Sequence, residues 1–264
     1  MKGEATILWY ESLDSTQEEV RRQSDALDSL TVIASGYQSA GRGQRGNSWL
    51  AAPWENLTFS LLLRFSLGKA TTANPGVRAV SEVILPAKDQ FMVSILTTLA
   101  VHDYLSQREI DSHIKWPNDI YCGDRKICGI LIENRLVEGL VEGSIIGIGL
   151  NVNQEKFPPG VPNPTSMKLR SGRTYDVKVE LETFMAVFTA LLRQLSAPEG
   201  PGSLKERYLS LMYRRGTRCQ WVDCLRGERF FGAIEGISED YRLMVRDDGG
   251  TLRSFAFKEV NYII

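Results

Sequence analysis

The segment "AGRGQRGNSW", residues 40–49, constrains the fold more than any other stretch of the chain. Gly41, Gly43 and Gly46 satisfy G-x-G-x-x-G. Gly41 and Gly46 followed by Asn47-Ser48 also give a phosphate-loop spacing, with asparagine where lysine belongs. Both nucleotide folds need a helix to start at the last glycine, because the helix N-terminus receives the phosphates. Here "NSWLAAPWEN" follows, interrupted by Pro53, and then the continuous apolar run "NLTFSLLLRF" at 56–65, the pattern of a buried strand. The loop runs from strand to strand, and both folds fail on context. What survives is a glycine-loosened backbone carrying Arg42 and Arg45, able to wrap an anion with cations and amide donors. Trp49 and Trp54 just downstream offer anchors that dock over a ligand.

The remaining pattern mixes helices with strands. "TILWYE" (6–11) and "LTVIASGYQ" (30–38) read as strands on either side of a helix that Asp14 or Ser15 caps, with Ser15 and Glu18 in capping-box register. Residues 88–107 are apolar nearly all round, which predicts a buried helix. Three β-like runs follow, "SHIKWPNDIYC", "KICGILIENRLV" and "GSIIGIGLNVN", with turns at Gly123-Asp124 and Glu138-Gly139. After the proline-rich loop "FPPGVPNP" (157–164), Leu181, Phe184, Met185, Phe188, Leu191, Leu192 and Leu195 mark one face of an amphipathic helix. Beyond "SAPEGPGS" (196–203), a short helix over 203–213 leads into glycine- and aspartate-punctuated β alternation that reads as a small barrel.

A second chemical cluster lies in "KWPNDIYCGDRKICGI" (115–130). Lys115, Asn118 and Asp119 sit at a strand end and Lys126 on the next strand, after a tight turn. A proline inside a plain central strand would remove a ladder donor, so the run bends there. Polar groups gathered at a bend on rigid strands are how sites are built.

Composition narrows the class. The formal net charge of −1 argues against a broad nucleic-acid surface. Cys122, Cys128, Cys219 and Cys224 match no zinc spacing, and with no apparent secretory leader they read as free thiols of a reducing cytoplasm. No run of 18 apolar residues exists to span a membrane.

"DSTQ" (14–17), "GRGQRGNSW", "KWPNDIYCGDRKICGI" and "GIGLNVN" (147–153), in that order, resemble the biotin protein ligases. The resemblance covers about residues 6–195. It implies an α+β fold: a class II aminoacyl-tRNA synthetase/biotin synthetase-like catalytic domain over 1–200, with a mixed sheet packed by helices, and a small SH3-like β-barrel over 214–264. It implies ATP and biotin as substrates with Mg²⁺, and a biotin carboxyl carrier domain of a biotin-dependent carboxylase as partner. Family members occur as monomers and as homodimers. With the first strand near Thr6, the monofunctional type without an N-terminal DNA-binding domain is expected, acting on no nucleic acid and no membrane.

The same resemblance assigns residues. Ser15, Thr16, Gln17 and Gln38 match the biotin ureido contacts, although helix capping by Ser15 and Thr16 is an equal reading of the residues themselves. Arg42, Gly43 and Gln44 match the loop that closes over biotin and phosphate. Lys126 matches the lysine that contacts both the biotin carboxylate and the α-phosphate. Gly129, Ile130, Gly147 and Gly149 match close backbone approaches along the biotin slot. Arg45, Trp49, Asn118 and Asn151 fall on the nucleotide side. Asp119 either holds Mg²⁺ or positions Lys115. Gln44 stands where the best-known members carry arginine, which bears on how tightly the intermediate is held.

Two readings compete. A lipoate or octanoate ligase shares the catalytic fold but needs an apolar tunnel, whereas Thr16, Gln17 and Gln38 suit a ureido ring. A non-enzymatic biotin-responsive regulator needs a DNA-binding module. Residues 41–48 are further expected to be a lid that orders on binding. Three glycines raise the entropy of the free loop, and Arg42 and Arg45 repel one another without an anion between them.

Overall fold

Strand β3, Asn56–Arg64, carries apolar residues on both faces and is buried along all but its last residue. It lies inside a seven-stranded sheet, third in the order β1-β2-β3-β7-β6-β5-β4. The coordinates, a computed structural model, describe residues 5–67 and 83–263, with the backbone but not the side chain of Arg45. β1 (Thr6–Leu13) pairs parallel with β2 (Thr31–Gln38), the helix α1 (Thr16–Gln23) making the crossover. β4 (His113–Lys115), β5 (Asp119–Cys122), β6 (Arg125–Val137) and β7 (Leu140–Asn151) form an antiparallel meander, and β7 pairs with β3. The expected turns are present. Glu138 and Gly139 both adopt positive φ, 47° and 78°, the geometry that lets a two-residue turn match the twist of its strands.

The helix expected over 88–107 is α2, Met92–Ser106, with nearly every residue buried. It packs with α4 (Val177–Leu195) against the sheet. Asp176 caps α4 by accepting from the amides of Lys178 and Val179. α1 covers the opposite face, burying Val20 against Ile33 and Leu62. A short helix, α3 (Met167–Ser171), ends at Gly172 with φ 73°, a left-handed cap that glycine adopts at no steric cost.

α5 spans Gly200–Ser210 rather than 203–213, because Pro201 suits a first helical turn, where its missing N–H costs nothing. Beyond it lies a five-stranded antiparallel sheet, β8 (Arg218–Asp223), β9 (Glu228–Ile237), β10 (Leu243–Asp247), β11 (Leu252–Phe255) and β12 (Val260–Tyr262), ordered β11-β10-β9-β8-β12. The core under the large sheet continues into this one through Trp221, Phe230 and Val245.

Two local expectations fail. "SHIKWPNDIYC" is not one strand: a cis Trp116–Pro117 peptide and a turn separate β4 from β5. The capping box does not form either. Asp14 Oδ1 accepts the Ser15 amide at 2.8 Å, and Glu18 pairs with Arg21 and Arg42, whose guanidiniums bind a carboxylate more strongly than a backbone amide does.

Candidate active site

The strand ends, the start of α1 and the 41–49 loop surround one cavity of about 870 Å³. α1 contributes Thr16 and Gln17, preceded by Ser15, and β2 contributes Gln38. The loop contributes Arg42, Gly43, Gln44 and Trp49. The 113–137 hairpins supply Lys115, Asn118, Asp119, Lys126, Gly129 and Ile130, and β7 supplies Gly147, Gly149 and Asn151. Of the residues singled out in the sequence, Trp54 does not line the cavity but stacks on Trp9, ring centroids 5.7 Å apart, and the side chain of Arg45 lies outside the described residues.

One end of the cavity is a neutral hydrogen-bonded cluster. Gln38 Oε1 accepts the Thr16 amide at 2.7 Å and the Thr16 hydroxyl at 3.1 Å, so Gln38 caps the helix from across the sheet. The Ser60 hydroxyl lies 2.9 Å from that of Thr16 and donates to Gln17 Oε1 at 3.1 Å. Gln17 Nε2 donates to Glu133 at 3.1 Å and to the Ile145 carbonyl at 3.3 Å. These contacts fix the direction of the Gln17 amide, and buried polar groups that are fully bonded are rigid. The Ser15 hydroxyl is the exception, buried with no protein partner. A buried hydroxyl left unbonded costs roughly 1–3 kcal/mol, which a polar ligand in the adjoining cavity recovers. Gly147 lets Gln17 approach: a Cβ there would stand 2.6 Å from Gln17 Oε1.

The other end is cationic. Lys126 Nζ lies 2.7 Å from Asp119 Oδ1. The Lys126 backbone is clamped by the proline-rich loop, donating to the Asn163 carbonyl at 2.8 Å and accepting from the Thr165 amide at 2.9 Å. Lys115 Nζ donates to Tyr121 Oη at 3.1 Å, and burial pushes its pKa down to about 8 despite the attraction of Asp119. Asn118 Nδ2 donates to the Ile130 carbonyl at 2.9 Å, and Asn151 Nδ2 to the Thr165 carbonyl at 2.9 Å, so both amides shape the walls of the cavity.

The loop is more ordered than its glycines suggest. It folds back through Gly43 N–H to Asn47 C=O at 2.7 Å and Trp49 N–H to Gly41 C=O at 2.9 Å. Gln44 Nε2 reaches the Ile130 carbonyl at 3.2 Å, and Arg42 forms an ion pair with Glu18. Glu18 thus supplies the anion that the expected repulsion between arginines left out. Trp49 lies over Gly129 and Gly149, which face each other across β6 and β7. A Cβ at Gly149 would stand 2.3 Å from the indole, and one at Gly129 3.0 Å.

Sequence reasoning missed three contributors. Ser60 is one of two hydroxyls, with Thr58, inside the apolar run of β3, and that contrast was the available signal. Phe157 and Pro159–Pro162 form a wall, as do Phe257, Lys258 and Val260–Tyr262 from the small sheet, and nothing local marks either. Among the described residues that line the cavity, Asp119 is the one carboxylate that could meet Mg²⁺. Asp119 is taken by Lys126, and no group of three or more metal-ligating side chains exists among the described residues. All four cysteines are free, and Cys122, beside the cavity hairpin, has its thiol pKa raised by burial to about 11, which keeps it protonated.

Comparison with known proteins places this arrangement. The chain is 26% identical over 240 residues to the bifunctional ligase/repressor BirA of Escherichia coli (strain K12), an alignment covering 90% of this chain and 68% of BirA. It is 25% identical over 244 residues to a biotin–[acetyl-CoA-carboxylase] ligase of Paracoccus denitrificans, covering 90% of this chain and 92% of that one. Its fold matches the biotin protein ligase of Aquifex aeolicus solved with biotin and ATP, with a TM-score of 0.74 over 98% of both chains at 23% identity. The family model for the biotin/lipoate A/B protein ligases matches residues 9–151, more than half of the chain. The α+β fold expected from the sequence is thereby shown, and the chain belongs to the biotin/lipoate A/B protein ligase family.

Proposed function

We propose that the protein joins biotin to a specific lysine of a biotin carboxyl carrier domain, through biotinyl-5′-AMP, with ATP consumed and AMP released. The observation that carries this reading is one cavity with a neutral, hydrogen-bonding end at Thr16, Gln17, Gln38 and Ser60 and a cationic end at Lys126 and Lys115, with Arg42 on the loop that also lines it. A ureido ring has donors and acceptors for the first end, and a carboxylate beside a phosphate suits the second. Relatives named biotin–[acetyl-CoA-carboxylase] ligase support it.

In the first step a carboxylate oxygen of biotin attacks the α-phosphorus of ATP, and the bond to the β-phosphate oxygen breaks, releasing pyrophosphate. Two anions must approach closely. Like charges about 4 Å apart repel by roughly 4 kcal/mol at an effective dielectric near 20. Lys126 offsets this by bridging carboxylate and phosphate, exchanging Asp119 for the substrate, while Arg42 leaves Glu18 for the phosphate. Asp119 positions Lys126, and Mg²⁺, arriving with ATP, would supply further positive charge to the phosphates, with Asp119 the carboxylate that could meet it. In the second step the carrier lysine amine, having shed a proton, attacks the carbonyl carbon of the mixed anhydride, and AMP departs with the bonding electrons.

Residues 1–200 act as the catalytic domain and 214–264 as the SH3-like domain, a division supported by the two separate sheets. A homodimer would have the open β1 edge of the large sheet to pair through, and a monomer would leave that edge in solvent. No helix among the described residues is long and apolar enough to cross a membrane. Mass spectrometry of a carrier domain incubated with biotin, Mg-ATP and the protein tests the reading, with a mass gain of one biotinyl group expected. Pyrophosphate exchange driven by lipoate or octanoate, and not by biotin, would overturn it.

A further inference from the structure

The Lys115 ammonium is enclosed by tyrosines from both sheets. Nζ lies 4.6 Å from the centroid of the Tyr121 ring and 5.0 Å from that of Tyr262. Tyr121 belongs to β5 of the large sheet, whereas Tyr262 belongs to β12 of the small one. Tyr213, ahead of β8, packs against both rings, its centroid 5.3 Å from that of Tyr121 and 6.0 Å from that of Tyr262.

The Tyr262 ring is held firmly. β12 pairs it directly opposite Trp221 in β8, with ring centroids 4.4 Å apart. Trp221 is fully buried and donates its indole N–H to the Gly232 carbonyl at 2.9 Å. A clamp ties this sheet to the catalytic hairpin: Asp124, in the turn between β5 and β6, accepts from Tyr213 Oη at 2.5 Å and from Arg214 at 2.9 Å.

Lys115 makes no ion pair within hydrogen-bonding distance among the described residues. Its nearest carboxylate, Asp119, is bound to Lys126, and the other charges acting on it are Lys126 and Arg214. An ammonium has three donors, and one is spent on Tyr121. Enclosing a cation in rings without a counter-charge is costly when the cation has only a packing role, and an apolar side chain would fill that space better. The faces of the rings repay part of the cost through their quadrupoles. Lys115 and Tyr262 both line the cavity, so the ammonium stands at its wall with donors unspent.

We propose that Tyr262 is a positioning residue: its ring, carried by the small sheet, holds the Lys115 ammonium at the cavity to receive an anionic group of the nucleotide, which makes the small sheet a working part of the active site. This rests on the reading that Lys115 meets an anion there. The ring does this work and the hydroxyl does not, since Tyr262 Oη is buried with no partner.

Tyr262→Leu and Tyr262→Phe separate the two. The leucine variant is expected to lower kcat of biotin-dependent pyrophosphate exchange about fivefold or more, the scale of one lost cation–π contact, with KM for biotin within about twofold. The phenylalanine variant is expected to match the unaltered protein. In NMR spectra, the Lys115 ε-methylene protons should be displaced upfield by the rings in the unaltered protein and in Tyr262→Phe, and should relax toward free-lysine values in Tyr262→Leu. Random-coil shifts in the unaltered protein would overturn the proposal without any variant having to fold, as would native kcat in Tyr262→Leu or a leucine-like loss in Tyr262→Phe. Lys115→Met with normal exchange would instead overturn the role of Lys115, while the shifts report the enclosure independently.

Discussion

Lys126 Nζ rests 2.7 Å from Asp119 Oδ1, with both side chains 28% exposed. At that exposure the pair adds little to stability, roughly 0–1 kcal/mol, so exchanging it for a substrate anion costs little. Lys126→Ala should therefore leave the fold intact and lower biotin-dependent pyrophosphate exchange at least tenfold, about 1.4 kcal/mol of barrier. Near-normal exchange in the folded variant would remove Lys126 from the chemistry.

Arg42 is paired with Glu18 and is proposed to move to the phosphate when the intermediate forms. Arg42→Gly should release biotinyl-AMP faster and allow it to label bystander lysines. Glu18→Gln should leave the intermediate bound but speed amide exchange across 41–48 in the free protein, with protection returning on adding biotin and ATP. Equal exchange rates in all states would mean that Glu18 does not hold the loop.

Gly147 and Gly149 separate the two ends of the cavity experimentally. A Cβ at Gly147 strikes Gln17 Oε1, and one at Gly149 strikes the Trp49 indole. Gly147→Ala should raise KM for biotin with a small change in KM for ATP. Gly149→Ala should do the reverse, since Trp49 falls on the nucleotide side. Parallel changes in both constants for either variant would refute this division.

Lys115 makes stability depend on pH with a definite sign. Burial lowers its pKa from 10.5 to about 8, so between those values the unfolded chain binds more protons than the folded one, and stability contributed by this group rises with pH. Below about pH 8 the folded protein bears the full cost of the buried charge. Lys115→Met should stabilise the protein in urea unfolding at pH 7, and the gain should fade by pH 10.5, even as activity falls. A gain independent of pH would show that the ammonium carries no such cost.

Most of the helices and strands were legible because they rest on local pattern. The apolar run of β3, the all-round apolar α2 and the stripe of α4 each announced its element. Capping was legible less often. Ser15 and Glu18 stand at the right spacing, yet Arg42, distant in sequence, competes for the Glu18 carboxylate and wins by charge. The bend in 112–122 was visible as Pro117, but not its splitting of the run into two strands.

The sequence by itself determined which residue types could meet a carboxylate and a phosphate, Arg42, Lys115 and Lys126, since their charge and their places beside glycine and proline are properties of short segments. Tertiary structure alone decided which groups share a wall. Gly129 faces Gly149 because β6 and β7 pair in one register, and a shift of one residue would turn both side-chain sets over. Tyr262 reaches Lys115 across 147 positions only because β12 pairs with β8 and the small sheet packs against the catalytic hairpin. Such contacts depend on strand register and the packing of two sheets, which are set by the sum of many weak burial terms over the whole chain and leave no mark on the few residues that meet.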